Sequence, residues 1–142
     1  MFAGHVERDE TEVRSLFADR YRADRGVVHA QVEQAVLGSA FGANGYTTRA
    51  EADRLAELLH LDEVSRLLDL GSGRGWPGLY LAERSGCRVV LADLPEEGLR
   101  AALARTSHQR LHVRASAVVA AGASLPLRQR SFDAVVYTDV TC

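Results

Sequence analysis

The amino-acid sequence predicts an α/β fold built on a mostly parallel sheet, and three observations carry that prediction. Past Val64 the helical periodicity of the first part of the chain gives way to short apolar runs alternating with helix-like segments. Two of these runs, residues 66–70 and 88–93, suit strands buried on both faces. The first is followed at once by glycines at alternate positions, as a tight strand-to-helix turn requires.

Taken in order, the elements begin with helices. Asp9 and Glu12 have capping-box spacing, with Val13, Leu16 and Phe17 following on one face. A second helix is expected over residues 27–37, with Val28, Val32, Ala35 and Val36 as its apolar stripe and Gly38 as its stop. Residues 42–45 (Gly-Ala-Asn-Gly) form a turn-prone link. Thr48 and Glu51 repeat the capping-box signal and open a helix with Ala52, Leu55, Leu58 and Leu59 along one stripe. The strand at 66–70 leads to a helix over 77–85, with Pro77 in its first turn and Gly86 past its end. The strand at 88–93 leads to a helix opened by Pro95, with Glu96 and Glu97 at its positive end and Leu99, Ala102 and Leu103 facing inward. The third strand is ambiguous between residues 111–113 and 117–120, and the fourth covers 132–137.

The bulk numbers limit the function classes. The chain has 142 residues, the length of one ordinary domain, with 46% hydrophobic residues and 25% charged. A net charge of −2 argues against a general nucleic-acid or membrane binder. Its 17 basic residues are all Arg, with no Lys and no Ile, which GC-rich coding explains. The charged N-terminus has no signal-peptide core, and no apolar run reaches the ~18 residues of a membrane span. Cys87 and Cys142 have no metal-ligand spacing and make a poor disulfide framework, so no metal is expected and the cytoplasm is the expected location.

The chemistry concentrates in residues 69–75, Asp-Leu-Gly-Ser-Gly-Arg-Gly. In an open α/β sheet a nucleotide-like ligand sits outside the carboxyl end of the first strand. Gly71, Gly73 and Gly75 suit a turn that needs unusual backbone angles and a ligand approaching close to the backbone. Asp93 ends the next strand, 18 residues past Gly75, where a carboxylate can accept both hydroxyls of a ribose. A helix N-cap before Pro95 is its alternative role. Residues 73–78 also satisfy the G-x-G-x-x-G pattern of dinucleotide binders, so an NAD(P)- or flavin-binding oxidoreductase domain is the competing reading. An acid at Asp69 is unwelcome beside a pyrophosphate. It is an asset beside a cofactor carrying an ammonium and a sulfonium, unless it merely caps local amides.

Residues 69–75 resemble motif I of the class I S-adenosylmethionine-dependent methyltransferases. Residues 89–93 resemble the family's ribose-binding strand, and Ser124-Leu125-Pro126-Leu127 with residues 131–136 resemble its "LPF…SFDVV" region. The stretch 75–82 is similar to that of small bacterial members, and the likeness covers roughly residues 55–142. It implies a Rossmann-like sheet ordered 3-2-1-4-5-7-6, of which this chain would supply strands 3-2-1-4 and lack 5-7-6. The expectation is therefore a chain that stops early. Residues 1–50 would be a helical cap or lid, and residues 51–142 a partial S-adenosylmethionine-binding domain.

The resemblance further implies that Gly71, Ser72, Gly73 and Gly75 pack against the methionine moiety, with Asp69 nearby. Asp93 would hold the ribose, Leu94 would pack on the adenine, and Ser124 would lie near it. The family's adenine-binding acid is replaced by Ala121, which shifts that contact to backbone near residues 122–124. Tyr46 is a candidate lid aromatic over the sulfonium or else a packing residue. The methyl acceptor would be a small molecule, and an exposed apolar fourth strand would invite a homodimer; a non-catalytic remnant that pairs through this edge is the other alternative reading.

The remaining residues have plainer readings. His29 is expected at the surface, residues 128–130 in a solvated turn, and Trp76 packing its helix onto the sheet. Asp139 is placed either to face a substrate or simply to be exposed. No catalytic acid or base is assigned, because methyl transfer can proceed by holding nucleophile and methyl in line.

Overall fold

A computed structural model describes residues 10–22, 26–38, 41–43, 45–107 and 114–140. The elements are α1 (Glu10–Arg22), α2 (Gly26–Leu37), α3 (Arg49–Leu59), β1 (Arg66–Leu70), α4 (Gly78–Ser85), β2 (Arg88–Asp93), α5 (Glu96–Thr106), β3 (Ala115–Val119) and β4 (Ala134–Val136). The four strands form one sheet in the order β3-β2-β1-β4, and every neighbouring pair is parallel. The strand order, with a helix after β1 and after β2, is that of a Rossmann-like methyltransferase sheet, as the resemblance implied.

The two central strands follow from their composition. Leu67, Leu68, Val89 and Leu91 are buried, and Leu67, Val89 and Leu91 pack with Leu79 and Leu81 of α4 and Leu99 and Ala102 of α5 in one core, which is why β1 and β2 read as apolar runs. Their register sets Asp69 opposite Leu91 and Leu70 opposite Ala92, so both carboxyl ends stop at one edge of the sheet. Gly86, at φ 77°, ends α4 in a left-handed cap whose N–H donates to the Ala82 carbonyl. The Thr48–Glu51 capping box is complete: Glu51 N–H donates to Thr48 Oγ1 and Thr48 N–H to Glu51 Oε2.

Several expectations need correction. On α2 the expected inward stripe points outward. Val28, Val32 and Val36 are 73%, 57% and 64% exposed, and Ala35 is exposed too. Glu33 and Leu37 turn inward instead, with His29 half-buried. Leu37 joins Phe41, Trp76 and Tyr80 in the core, while Glu33 Oε1 accepts the Ala43 N–H at 2.8 Å. On α1 the inward face is Phe17, Ala18 and Tyr21, with Leu16 outside; on α3, Leu58 is outside.

The strand boundaries also shift at the sheet margins. The third strand overlaps the later of its two candidate segments, and the Asp9 cap and residues 111–113 lie outside the described residues. The fourth strand pairs over three residues only. Its entry is fixed by Asp133, whose N–H donates to the Arg66 carbonyl while its Oδ2 accepts the Arg66 N–H at 2.7 Å. No helix among the described residues is long and apolar enough to cross a membrane.

Candidate functional site

The carboxyl ends of β1 and β2 open into a cavity of about 540 Å³, within the usual range for a small-molecule site. Its floor is the turn after β1. Gly71 and Ser72 both donate N–H to the Ala92 carbonyl, at 2.7 and 3.2 Å, which holds the turn against the end of β2. Gly73 N–H donates to Asp93 Oδ2 at 2.6 Å, and Gly75 N–H closes the turn on the Ser72 carbonyl at 2.7 Å. Gly71, Gly73 and Gly75 all have positive φ, the left-handed region that only glycine enters without strain. Close packing adds a second demand at Gly73, where a Cβ would sit 2.9 Å from Tyr21 Oη.

Of the residues singled out in the sequence, Gly71, Ser72, Gly73, Asp93, Leu94 and Tyr46 line this one cavity. Ser72 is buried, and its Oγ hydrogen-bonds to no described protein atom. Asp93 receives the Gly73 N–H on one oxygen and the Leu94 N–H on the other, with further lone pairs on both. Burial raises its pKa against the opposing effect of those two amides. It does not cap α5, whose N-cap is Pro95. Tyr46 stands at the rim, 84% exposed.

Asp69, Gly75 and Ser124 do not line the cavity. Asp69 lies beneath the turn, 1% exposed, and its Oδ2 accepts the N–H of Gly78, the first residue of α4, at 2.9 Å. Burial lifts its pKa to about 7 despite the Gly78 N–H, and repulsion from Asp93 adds to the rise. Because Asp69 already sits on the leading amide of α4, this helix end is not a free pyrophosphate cradle, and the second glycine pattern loses its physical basis. Gly75 packs under Leu79, and Ser124 is an exposed turn residue donating its N–H to Ala121.

Other lining residues came from elements that carried no site signal in the sequence. Helix α1 contributes Phe17, Arg20 and Tyr21, and Arg22 ties it to α5 through Glu97 at 2.5 Å. Residues 137–140 after β4 form another wall. There Asp139 accepts the Thr47 N–H at 3.1 Å and the Thr47 hydroxyl at 2.7 Å, pinning the link before α3 to the end of β4. Burial pushes its pKa up, but the Thr47 hydroxyl and the Tyr46 and Thr47 amides outweigh it and leave the carboxyl more acidic than usual. Trp76 donates Nε1–H to the Thr47 carbonyl at 2.9 Å and packs its ring at a tilt against Phe41 and Tyr80, so it ties the link to the core. No group of three or more His, Cys, Asp or Glu among the described residues is placed to hold a metal.

Residues 67–142 match the family model described as "Methyltransferase domain". A 24-methylenesterol C-methyltransferase 2 of Oryza sativa subsp. japonica is 34% identical over 95 residues, covering 67% of this chain and 26% of the relative. The chain thus spans about a quarter of that curated relative's length. Among solved structures, a geranyl diphosphate C-methyltransferase from Streptomyces coelicolor A3(2) superposes with a TM-score of 0.58 at 19% identity, over 82% of this chain and 49% of that one. An RNA methyltransferase from Salinibacter ruber, solved with S-adenosyl-L-homocysteine, gives 0.50 at 25% identity, over 53% and 49%. With its parallel 3-2-1-4 sheet and a family match over more than half its length, the chain belongs to the methyltransferase-domain family, in its class I, S-adenosylmethionine-dependent branch.

Proposed function

We propose that the cavity over Gly71, Ser72 and Gly73 binds S-adenosylmethionine and that the protein serves methyl transfer to a small molecule. The observation that carries this reading is the pairing of the glycine turn with Asp93 across adjacent strand ends. The residues fit the cofactor: a left-handed glycine turn allows close approach, and the buried Ser72 hydroxyl lacks a partner among the described residues. Asp93 has spare acceptor capacity for ribose hydroxyls, with Leu94 beside it for the adenine face. The bound cofactor supplies an electrophilic methyl on a sulfonium. The chain's part is to hold and orient it, with Tyr46 and α1 closing over it and Asp69 and Gly75 shaping the turn from below. The 24-methylenesterol C-methyltransferase relative supports a small-molecule acceptor.

Saturating S-adenosylhomocysteine should raise the melting temperature, by the mass-action stabilisation of about 2.7 kcal/mol at a hundredfold excess over Kd. NADH at the same concentration should leave it unchanged. Asp93→Ala should abolish most of the S-adenosylhomocysteine shift. A shift with NADH alone, or an undiminished shift in Asp93→Ala, would overturn the assignment.

We also propose that the outer edge of β4, which pairs with no further strand among the described residues and has Val135 and Tyr137 about half exposed, pairs two copies of this chain. Light scattering should then give a dimer mass that Val135→Lys halves, and a wild-type monomer would exclude it.

A further inference from the structure

We propose that Arg74, backed by Arg105, forms an anion subsite in the cavity wall that takes a carboxylate or phosphate group. The inference rests on the cofactor reading above only for the identity of one of the two anions considered. Arg74 follows Gly73 directly and lines the cavity together with Gly42 and Ala43. A Cβ at Gly42 would lie 3.0 Å from both Arg74 Cδ and Arg105 Nη1, so both arginine side chains press against the back of this link.

Arg105 reaches up from the last turn of α5 and donates through Nη2 to the Arg74 carbonyl. The Nε–H groups of both arginines are fully buried and donate to no described protein atom. Buried donors are rarely left so, and each orphan calls for an explanation. The charges are unbalanced as well. Burial lowers the Arg105 pKa to about 10, repulsion from Arg74 lowers it further, and Glu33 opposes both. Glu33 is itself committed to the Ala43 N–H. Among the described residues no ion pair is formed by either guanidinium, and Glu33 is the one carboxylate that acts on Arg105.

A surplus of half-buried positive charge is costly until an anion completes it. The planar arginine fork suits a carboxylate or phosphate, taken bidentately. Arg20, whose guanidinium lies 5.6 Å from the Phe17 ring, is a further cation lining the cavity and has no ion pair among the described residues. Two sources present the right chemistry. One is the amino-acid carboxylate of the cofactor, which must lie close to the glycine turn. The other is an acidic group on the methyl acceptor.

Calorimetric titration of three probes separates them. S-adenosylhomocysteine carries the carboxylate, 5′-methylthioadenosine keeps the nucleoside and sulfur without it, and inorganic pyrophosphate is added to chain saturated with S-adenosylhomocysteine. If the cofactor's carboxylate occupies the subsite, Arg74→Gln weakens S-adenosylhomocysteine about tenfold or more and 5′-methylthioadenosine less than about twofold. If the acceptor's anion occupies it, both nucleosides keep their affinity and pyrophosphate binding disappears in Arg74→Gln. Either result supports the subsite. Equal loss of both nucleosides, or no change with any probe, overturns it. Should Arg74→Gln fail to fold, Arg74→Lys keeps the charge without the fork, and an intermediate loss is expected. If the wild-type chain binds neither nucleoside, the cofactor reading falls, and pyrophosphate binding with and without Arg74 still decides the subsite.

Discussion

Replacing Asp69 by Asn should make the ligand-free chain more stable at pH 8, by about 2 kcal/mol, and flatten its stability between pH 4 and pH 7. A carboxyl whose folded pKa is about 7, against an ordinary 3.8, holds its proton more tightly folded than unfolded. Ionising it therefore costs stability, progressively, as pH rises from near 4 to near 7. The difference corresponds to at most about 4 kcal/mol at ~1.4 kcal/mol per pH unit. Asn keeps an oxygen for the Gly78 N–H and never ionises, but its amide NH2 gains no partner, which costs about 1–2 kcal/mol. Asp93, raised in the same direction, leaves a smaller residual slope in the variant. Urea melts of both proteins from pH 4 to pH 8 read the effect directly. Parallel curves would show that Asp69 does not ionise at a cost in this fold. On the proposed function the cost has a use. The ionised carboxylate beneath the turn favours the cationic sulfonium, so Asp69→Asn should weaken S-adenosylmethionine more than the uncharged-sulfur homocysteine analogue.

Gly98→Ala has the second large expected effect. Helix propensity alone favours Ala by up to about 1 kcal/mol. A Cβ at this position of α5, however, would lie 2.6 Å from the Gly73 carbonyl oxygen and 3.0 Å from its carbon. Those are backbone atoms of the cofactor turn, which is itself held by the Gly73–Asp93 hydrogen bond. The turn must move, at a net cost of about 1–3 kcal/mol, and S-adenosylhomocysteine affinity should fall with it. Gly122→Ala is the contrast, because its Cβ would meet Leu70 at an ordinary 3.7 Å and stability should change by less than about 0.5 kcal/mol. Equal melting temperatures for Gly98→Ala and wild type would show that the contact is slack.

How much of this could be read from the sequence depended on whether the signal was local. β1 and β2 were legible to the residue, because each is a short, mostly apolar run and glycines punctuate them. The α3 cap was legible because Thr48 and Glu51 satisfy each other three residues apart. Helix α2 was misread because Val and Ala cover most of its circumference, so periodicity alone could not choose the inward side. The side was settled by Glu33, through a hydrogen bond to Ala43 that exists only once the link folds back. The margins of the sheet were blurred for a related reason: β3 and β4 are half-exposed edges, and three residues of β4 carry too little alternation to fix its ends.

The site divided along the same line. Gly71, Ser72, Gly73, Asp93 and Leu94 sit beside one another because each lies at or just past a strand end, and strand ends are visible in sequence. The inward turn of Asp69 onto Gly78 was not visible as such, although capping of local amides was an open alternative. Gly98, Tyr21 and the Arg74–Arg105 pair belong to contacts between distant segments, and nothing local marks them. A small residue early in α5 was the one trace of Gly98, and it gained meaning only when α5 was seen against the turn.

The most direct test of cofactor binding at this turn is a crystal structure of the chain grown with S-adenosylhomocysteine. The ribose hydroxyls should lie within hydrogen-bonding distance of the Asp93 carboxylate, with the amino-acid portion against Gly71 and Gly73. Electron density for the nucleoside anywhere else, or an Asp93 side chain that no ligand atom approaches, would contradict it.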